Sequence, residues 1–150
     1  MLFRSTESPT GPFDRYHVRY SRSNDGARTF ERPRDVSGIQ TEQFESVSFP
    51  SLDLDGADNV YAIWDLFPNH RGYPRGLGFT FSRDGGQTFS SPEVIPGSAD
   101  RALGVNGSQQ GFLMRKLAVN ESAELAVVSS TFKKNEMSHI WLIRGQADRR

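Results

Sequence analysis

The chain contains no cysteine, which excludes disulfides and thiolate-bound metals and leaves its redox compartment open. It has no net charge either, because 18 lysines and arginines balance 18 aspartates and glutamates. Bulk charge therefore gives no reason to expect nucleic acid or a membrane as a partner. No apolar run approaches the roughly 20 residues of a transmembrane helix. The three apolar residues before Arg4 are too few for a signal peptide, although a secreted or periplasmic location stays compatible with the chain.

Helical periodicity is also missing, since no window repeats apolar residues at the spacing of a helix face. What is present is a series of short apolar stretches separated by Gly, Pro, Asn, Asp and Ser, a pattern typical of strands. Residues 60–67 are apolar on both faces apart from Asp65, and 125–128 are similar, which indicates strands covered on both sides. Several small sheets packed face to face would satisfy this pattern. The predicted strands are 16–22, 29–36, 47–54, 59–66, 76–83, 88–95, 111–119, 124–131 and 138–144.

One short segment occurs twice. Residues 23–30 (SNDGARTF) and 82–89 (SRDGGQTF) are identical at five of eight positions when they are aligned without a gap. In a tight turn of this kind, the Asp carboxylate can accept backbone N–H groups and Gly can adopt a positive φ. The Phe that follows can bury its ring between neighbouring sheets. Ala27 occupies the place of the second Gly, which predicts a strained turn or another turn type in the first copy.

A weaker repeat supports the first. Residues 52–64 and 117–129 share the pattern strand, polar turn, strand over their whole length, with Asp55 and Asn120 opening the turns. A third copy of the Asp turn would be due near Asp148, two residues before the last residue, Arg150. We interpret this as a repeat that is interrupted.

The pattern Ser-x-Asp-x-Gly-x-Thr-Phe, repeated at about 60 residues with strands between the copies, resembles the Asp-box (BNR) repeat of sialidases and related six-bladed β-propellers. The resemblance implies an all-β fold: about two and a half four-stranded antiparallel blades of a sialidase-like propeller over residues 16–150. Residues 1–15 are expected to be extended or disordered. The residues assigned to the structural turns are Ser23, Asp25, Gly26, Thr29, Phe30, Ser82, Asp84, Gly86, Thr88 and Phe89.

The resemblance leaves two functions open. One is a fragment of a sialidase-like glycoside hydrolase or glycan-binding propeller, which as an enzyme would be an exo-sialidase and incomplete in this chain. The other is a non-catalytic propeller that serves as a protein-interaction or structural module. The family's Arg-Ile-Pro motif does not transfer, because Ser48 stands where its Arg would precede Pro50, and Arg115 occupies a Pro position. No catalytic residue is therefore assigned.

An up-and-down chain path places loops 37–46, 67–75, 96–110 and 132–137 on one face, opposite the turns. Arginines there suit a sugar carboxylate, because a guanidinium donates two parallel hydrogen bonds. The alternative for these side chains is a solvated polar loop, with Asp65 capping loop backbone. The candidate substrate-binding residues are Asp65, His70, Arg71, Tyr73, Arg75 and Arg115.

Other partners follow from the same considerations. His17, His70 and His139 lack metal-ligand spacing, so neither a metal nor a cofactor is expected. Glycans, the remaining blades or further copies of the chain are the expected partners, without nucleic acid or membrane. A third interpretation, an ordinary β-sandwich, would place Phe30 and Phe89 in one shared core.

Overall fold

A computed structural model describes residues 15–38, 43–107 and 116–146, together with the backbone of residues 2–6. These residues form strands and one short 3-10 helix, Arg101–Leu103, and include no α-helix. None of their helical segments is long and apolar enough to cross a membrane. The predicted all-β class is therefore confirmed. The strands are β1 Leu2–Thr6, β2 Tyr16–Tyr20, β3 Arg34–Asp35, β4 Ser46–Leu54, β5 Val60–Phe67, β6 Leu77–Ser82, β7 Glu93–Val94, β8 Val105–Asn106, β9 Leu117–Val119, β10 Glu124–Phe132 and β11 His139–Gln146.

The strands form three antiparallel sheets that follow one another along the chain. The first sheet has the order β1-β2-β3 and the second has the order β4-β5-β6-β7. In the third sheet β10 pairs with β11 on one side and with both β8 and β9 on the other. The sequence predicted two strands for the first sheet. The third strand is β1, which lies within the segment 1–15 and pairs with β2 along its whole length.

The strands that follow the repeated turns are shorter than predicted. Residues 29–36 and 88–95 were each expected to form one strand, but pairing is confined to β3 and β7, of two residues each. Both begin directly after a proline, Pro33 or Pro92. Proline has no N–H to donate to a neighbouring strand, so regular pairing can start only after it.

Two hydrophobic cores lie on opposite faces of β5. Val60, Ala62 and Trp64 face the first sheet, whereas Tyr61 and Ile63 face the third. Every residue of β5 is buried, which confirms the prediction of a strand covered on both sides. Each large apolar side chain buried in this way contributes about 1.5 to 3 kcal/mol.

The outer face of β10 differs from this prediction. Val127 is 4% exposed and packs against the second sheet, but Val128, on the opposite face, is 37% exposed. The expectation that residues 125–128 are covered on both sides is thus met on one face within this chain. The sandwich interpretation is wrong, because Phe30 is 49% exposed whereas Phe89 packs against the first core.

The strand position occupied by β4 in the second sheet and by β8 and β9 in the third is interrupted at the same place in both sheets. In the second sheet, Ser48 pairs with Asp65 and Ser51 with Ile63, so two residues of β4 oppose Trp64 alone. In the third sheet, the Gly107 N–H donates to the Ser130 carbonyl and the Val128 N–H donates to the Lys116 carbonyl, on either side of Ser129. Trp64 and Ser129 are equivalent, because they are the last residues of the two copies of the weaker repeat.

Candidate functional site

The two ends of the sheets carry different connections. Turns 23–30, 55–59, 82–89 and 120–123 lie at one end, which we call the turn end. The longer connections lie at the opposite end, which we call the loop end. Contacts hold the loop end together, because Arg75 Nε donates to the Gly104 carbonyl at 3.0 Å and Asn106 N donates to the Pro74 carbonyl at 2.7 Å.

The repeated turns at the turn end are built around a carboxylate. Asp84 Oδ1 accepts hydrogen bonds from Ser82 Oγ at 2.7 Å and from the N–H groups of Gln87 and Thr88 at 2.8 Å. Its Oδ2 accepts from Thr88 Oγ1 at 2.6 Å. Asp25 accepts the equivalent four hydrogen bonds, from Thr29 Oγ1 at 2.6 Å, Ser23 Oγ at 2.7 Å, Thr29 N at 2.9 Å and Arg28 N at 3.0 Å. Hydrogen bonds from Thr29 and Thr88 hold the pKa of the Asp25 and Asp84 carboxyls far below the usual range. The bond from the threonine hydroxyl has the largest effect, and the bond from its backbone N–H comes next.

The 55–59 and 120–123 turns are also equivalent. Asp55 Oδ1 accepts from the N–H groups two and four residues later at 2.9 and 3.1 Å, and Asn120 Oδ1 does the same at 2.9 Å. Asp58 and Ala123, each at the fourth position of its turn, have φ values of 60° and 59°. The weaker repeat of the sequence is therefore a repeat of turn geometry.

The 82–89 turn joins two sheets. The Phe89 ring meets the Tyr20 ring edge-on at a centroid distance of 5.0 Å, and the Arg34 guanidinium lies 5.7 Å from each ring centroid. Arg34 also donates to carbonyls of the turn, and Arg22 donates to another at 3.3 Å. These contacts fasten the 82–89 turn to the first sheet.

Ala27 and Gly86 occupy the same position of the two turns. Their φ values are 65° and 79°, so the first turn has the same shape as the second and holds an alanine in the left-handed region. Such a residue costs about 1 to 2 kcal/mol. The predicted strain at Ala27 is therefore present, and the other possibility, a different turn type, is wrong.

Three of the predicted residues lie within one loop, 67–75, at the loop end. His70 Nδ1 lies 2.7 Å from Glu45 Oε2, and the hydrogen bonds of His70 lower the pKa of the Glu45 carboxyl. Arg71 is exposed. Tyr73 is 58% exposed and meets the Phe132 ring edge-on at 5.9 Å. Arg71 and Tyr73 thus present a cation and an aromatic ring to solvent, and the His70 imidazole is partly exposed.

The remaining predicted residues have other positions. Arg75 is partly buried and engaged with the loop backbone through its Nε. Asp65 is 0% exposed, with Oδ2 2.8 Å from Lys116 Nζ and Oδ1 accepting from Asn106 Nδ2 at 3.0 Å. Burial lowers the pKa of Lys116, although the Asp65 carboxylate opposes the shift. Asp65 thus fastens both ends of the connection 107–115 to the second sheet and does not reach the surface. Arg115 lies outside the described residues.

Two residues of this region were not predicted as partners, Glu45 and Lys116. A signal for Glu45 existed, because the predicted hairpin of β4 and β5 brings the residue before β4 close to the loop after β5. Lys116 had a weaker signal. A carboxylate inside an apolar strand, such as Asp65, needs a buried partner, but its position depends on how two sheets pack. Among the residues that the structure describes, no group of three His, Asp or Glu could hold a metal ion.

No family model and no curated protein sequence matches the chain. A solved structure described as "Hadza microbial sialidase Hz136" superimposes on 93% of the chain with a TM-score of 0.56. The fold is sialidase-like. Sequence identity with that protein is 19%, so the likeness concerns the fold alone. The chain spans 30% of the length of that protein.

Proposed function

We propose that the chain is part of a sialidase-like β-propeller and that its loop end binds an anionic sugar. The three sheets would be successive blades, and the 23–30 and 82–89 turns would be Asp boxes. The stacking of the sheets in chain order, the equivalent carboxylate turns and the likeness to a sialidase support the fold. The loop that carries exposed Arg71 and Tyr73 and partly exposed His70 is the observation that carries the function.

The chemistry of this group suits a sugar acid. The Arg71 guanidinium can donate two parallel hydrogen bonds to a carboxylate, and the exposed face of Tyr73 can pack against the apolar side of a sugar ring. The carboxylate of Glu45 can only accept, so His70 Nδ1–H donates to it. In the neutral imidazole, Nε2 is then an acceptor for a sugar hydroxyl.

Hydrolysis needs more than this group. A glycosidase uses one carboxyl as an acid and a second group as nucleophile or base. In the described part of the loop end, Glu45 is engaged by His70 and Asp65 by Lys116. Asp100 accepts from the Ala102 N–H at 2.8 Å, and Glu136 Oε2 lies 3.5 Å from Lys133 Nζ. We therefore assign sugar binding, and no catalytic group, to the described residues of this chain. The buried Asp65–Lys116 pair equally supports the second candidate, a non-catalytic propeller module.

Titration of the chain with sialyllactose and with lactose, followed by NMR, tests the proposal. We expect sialyllactose to bind more tightly, since lactose lacks the carboxylate. Arg71→Ala should reduce the affinity for sialyllactose about ten-fold or more, the usual cost of a charged hydrogen bond. Arg28→Ala, which removes an exposed arginine at the turn end, is the matched control and should change nothing. Equal affinity for both sugars, or an unchanged affinity in Arg71→Ala, would overturn the proposal.

Turnover of a fluorogenic sialoside by the same chain separates the two candidates. Binding without turnover is the result expected if the catalytic groups lie elsewhere. Turnover would place a complete hydrolase in these 150 residues and overturn that assignment. If the chain shows neither binding nor turnover, that result favours the non-catalytic module.

A further inference from the structure

The outer face of the third sheet, formed by Val128, Ile140 and Leu142, is apolar and uncovered. These side chains are 37%, 79% and 64% exposed. They lie on the face away from the second sheet, because Val127 and Ile143 on the opposite face belong to the second core. An apolar face on both sides of a sheet is typical of a sheet that is covered twice. The second sheet covers one face of the third sheet, and the described residues leave the other face exposed.

The register of the sheets shows what covers the equivalent face of the first and second sheets. Leu142 pairs with Val128 as Phe79 pairs with Ile63 in the second sheet. Phe79 and Ile63 belong to the second core, beneath the third sheet. Tyr20 corresponds to Phe79 by the spacing of the repeated turns and lies beneath Phe89 of the second sheet. In both cases the next sheet along the chain provides the cover.

The other end of the stack has the complementary surface uncovered. Phe30 follows the 23–30 turn as Phe89 follows the 82–89 turn. Phe89 packs against Tyr20, but Phe30 is 49% exposed. The chain therefore presents a free copy of each half of its own internal interface, one at each end.

A polar contact follows the same correspondence. By strand register and repeat spacing, Arg144 corresponds to Phe81 and to Arg22. In the first sheet, Arg22 Nη1 donates to the Gly85 carbonyl of the docked turn at 3.3 Å. Arg144 is exposed beside Leu142, and the carbonyl equivalent to that of Gly85 belongs to Gly26. The uncovered face thus carries both the apolar and the charged groups with which the first sheet holds a turn.

We propose that copies of this chain associate head to tail, the 23–30 turn of one copy covering the outer face of the third sheet of another. Phe30 lies over Leu142 as Phe89 lies over Tyr20, and Arg144 donates to the Gly26 carbonyl. The occupant is a second copy because both halves of the interface are present on one chain. Such an interface is heterologous, so it yields a closed ring if the rotation between copies closes and an open chain if it does not. The inference rests on the packing of the sheets and is independent of sugar binding.

Sedimentation velocity of the 150-residue chain between about 1 and about 100 µM measures the association. We expect the average mass to rise with concentration. Phe30→Glu and Leu142→Glu should each reduce the chain to a monomer, because each places a carboxylate in an apolar contact. Leu54→Glu is the matched control. Leu54 is 47% exposed and lies outside both surfaces, so this variant should associate like the original chain.

Mixing the two monomeric variants is the decisive step. Each variant retains one intact half of the interface, so an equal mixture should form a dimer with a single interface and nothing larger. Phe30 and Leu142 are exposed, so circular dichroism spectra should match that of the original chain. A chain that stays monomeric throughout, as expected if other sheets cover both surfaces, would overturn the proposal. Association that survives both substitutions, or a mixture that stays monomeric, would overturn it as well.

Discussion

The glycines of the 82–89 turn allow a direct test of how the sheets are joined. Gly85 and Gly86 both have positive φ, 67° and 79°. A Cβ on Gly85 would meet nothing within 4 Å, whereas a Cβ on Gly86 would lie 2.7 Å from Tyr20 Cζ and overlap the Tyr20 hydroxyl. Gly85→Ala therefore adds only the left-handed penalty, about 1 to 2 kcal/mol. Gly86→Ala adds overpacking of about 1 to 3 kcal/mol to the same penalty.

Urea unfolding followed by circular dichroism measures this difference. A gap of about 2 kcal/mol between the variants corresponds to a midpoint shift of about 1 M at a typical slope of about 2 kcal/mol per M. In a Tyr20→Leu background the obstructing ring is gone, so Gly86→Ala should cost no more than Gly85→Ala. The reasoning is refuted if the two alanines cost the same in the original chain, or if the extra cost of Gly86→Ala persists in the Tyr20→Leu background.

Two further predictions concern charged groups. The folded-state pKa of Asp84 is held below its unfolded value, so the turn's contribution to stability is complete above about pH 4 and is lost as the pH falls below it. The difference in urea midpoint between the original chain and Asp84→Asn should therefore narrow between about pH 5 and about pH 2, and a constant difference would contradict this. Lys116→Met leaves the buried Asp65 carboxylate without its cation and should cost about 3 to 5 kcal/mol in urea unfolding. The double variant Asp65→Asn with Lys116→Met should cost less than Lys116→Met alone, and a double variant at least as unstable would count against a buried ion pair.

The fold could be predicted where a physical requirement is local. The two-sided apolar pattern of 60–67 demanded cover on both faces, and the structure supplies it. The 23–30 and 82–89 turns need only groups within each short segment, so their hydrogen bonds follow from the motif. The boundaries of β3 and β7 were missed although the reason, a proline before each, is also local.

The candidate site was less accessible because its contacts are long-range. His70 and Glu45 are 25 residues apart, and Asp65 and Asn106 are 41 residues apart. Residue type alone made both His70 and Asp65 candidates, but only the packing of the third sheet against the second distinguishes a partly exposed imidazole from a buried carboxylate. Likewise, β1 forms by pairing with β2, and nothing in its own five residues distinguishes a paired strand from an extended tail.

The interruption shared by β4 and by the pair β8 and β9 makes this strand position suitable for inserting a foreign peptide. In the second sheet, two residues, Phe49 and Pro50, lie opposite Trp64, and β5 keeps its pairing with β6 there. In the third sheet, β10 likewise keeps its pairing with β11 at Ser129. Because lengthening a connection costs little once its stems are fixed, foreign peptides could be inserted at Phe49–Pro50 to create new binding surfaces. In the third sheet, the contacts of Asp65 with Asn106 and Lys116 already fix the two residues between which such an insertion would be made.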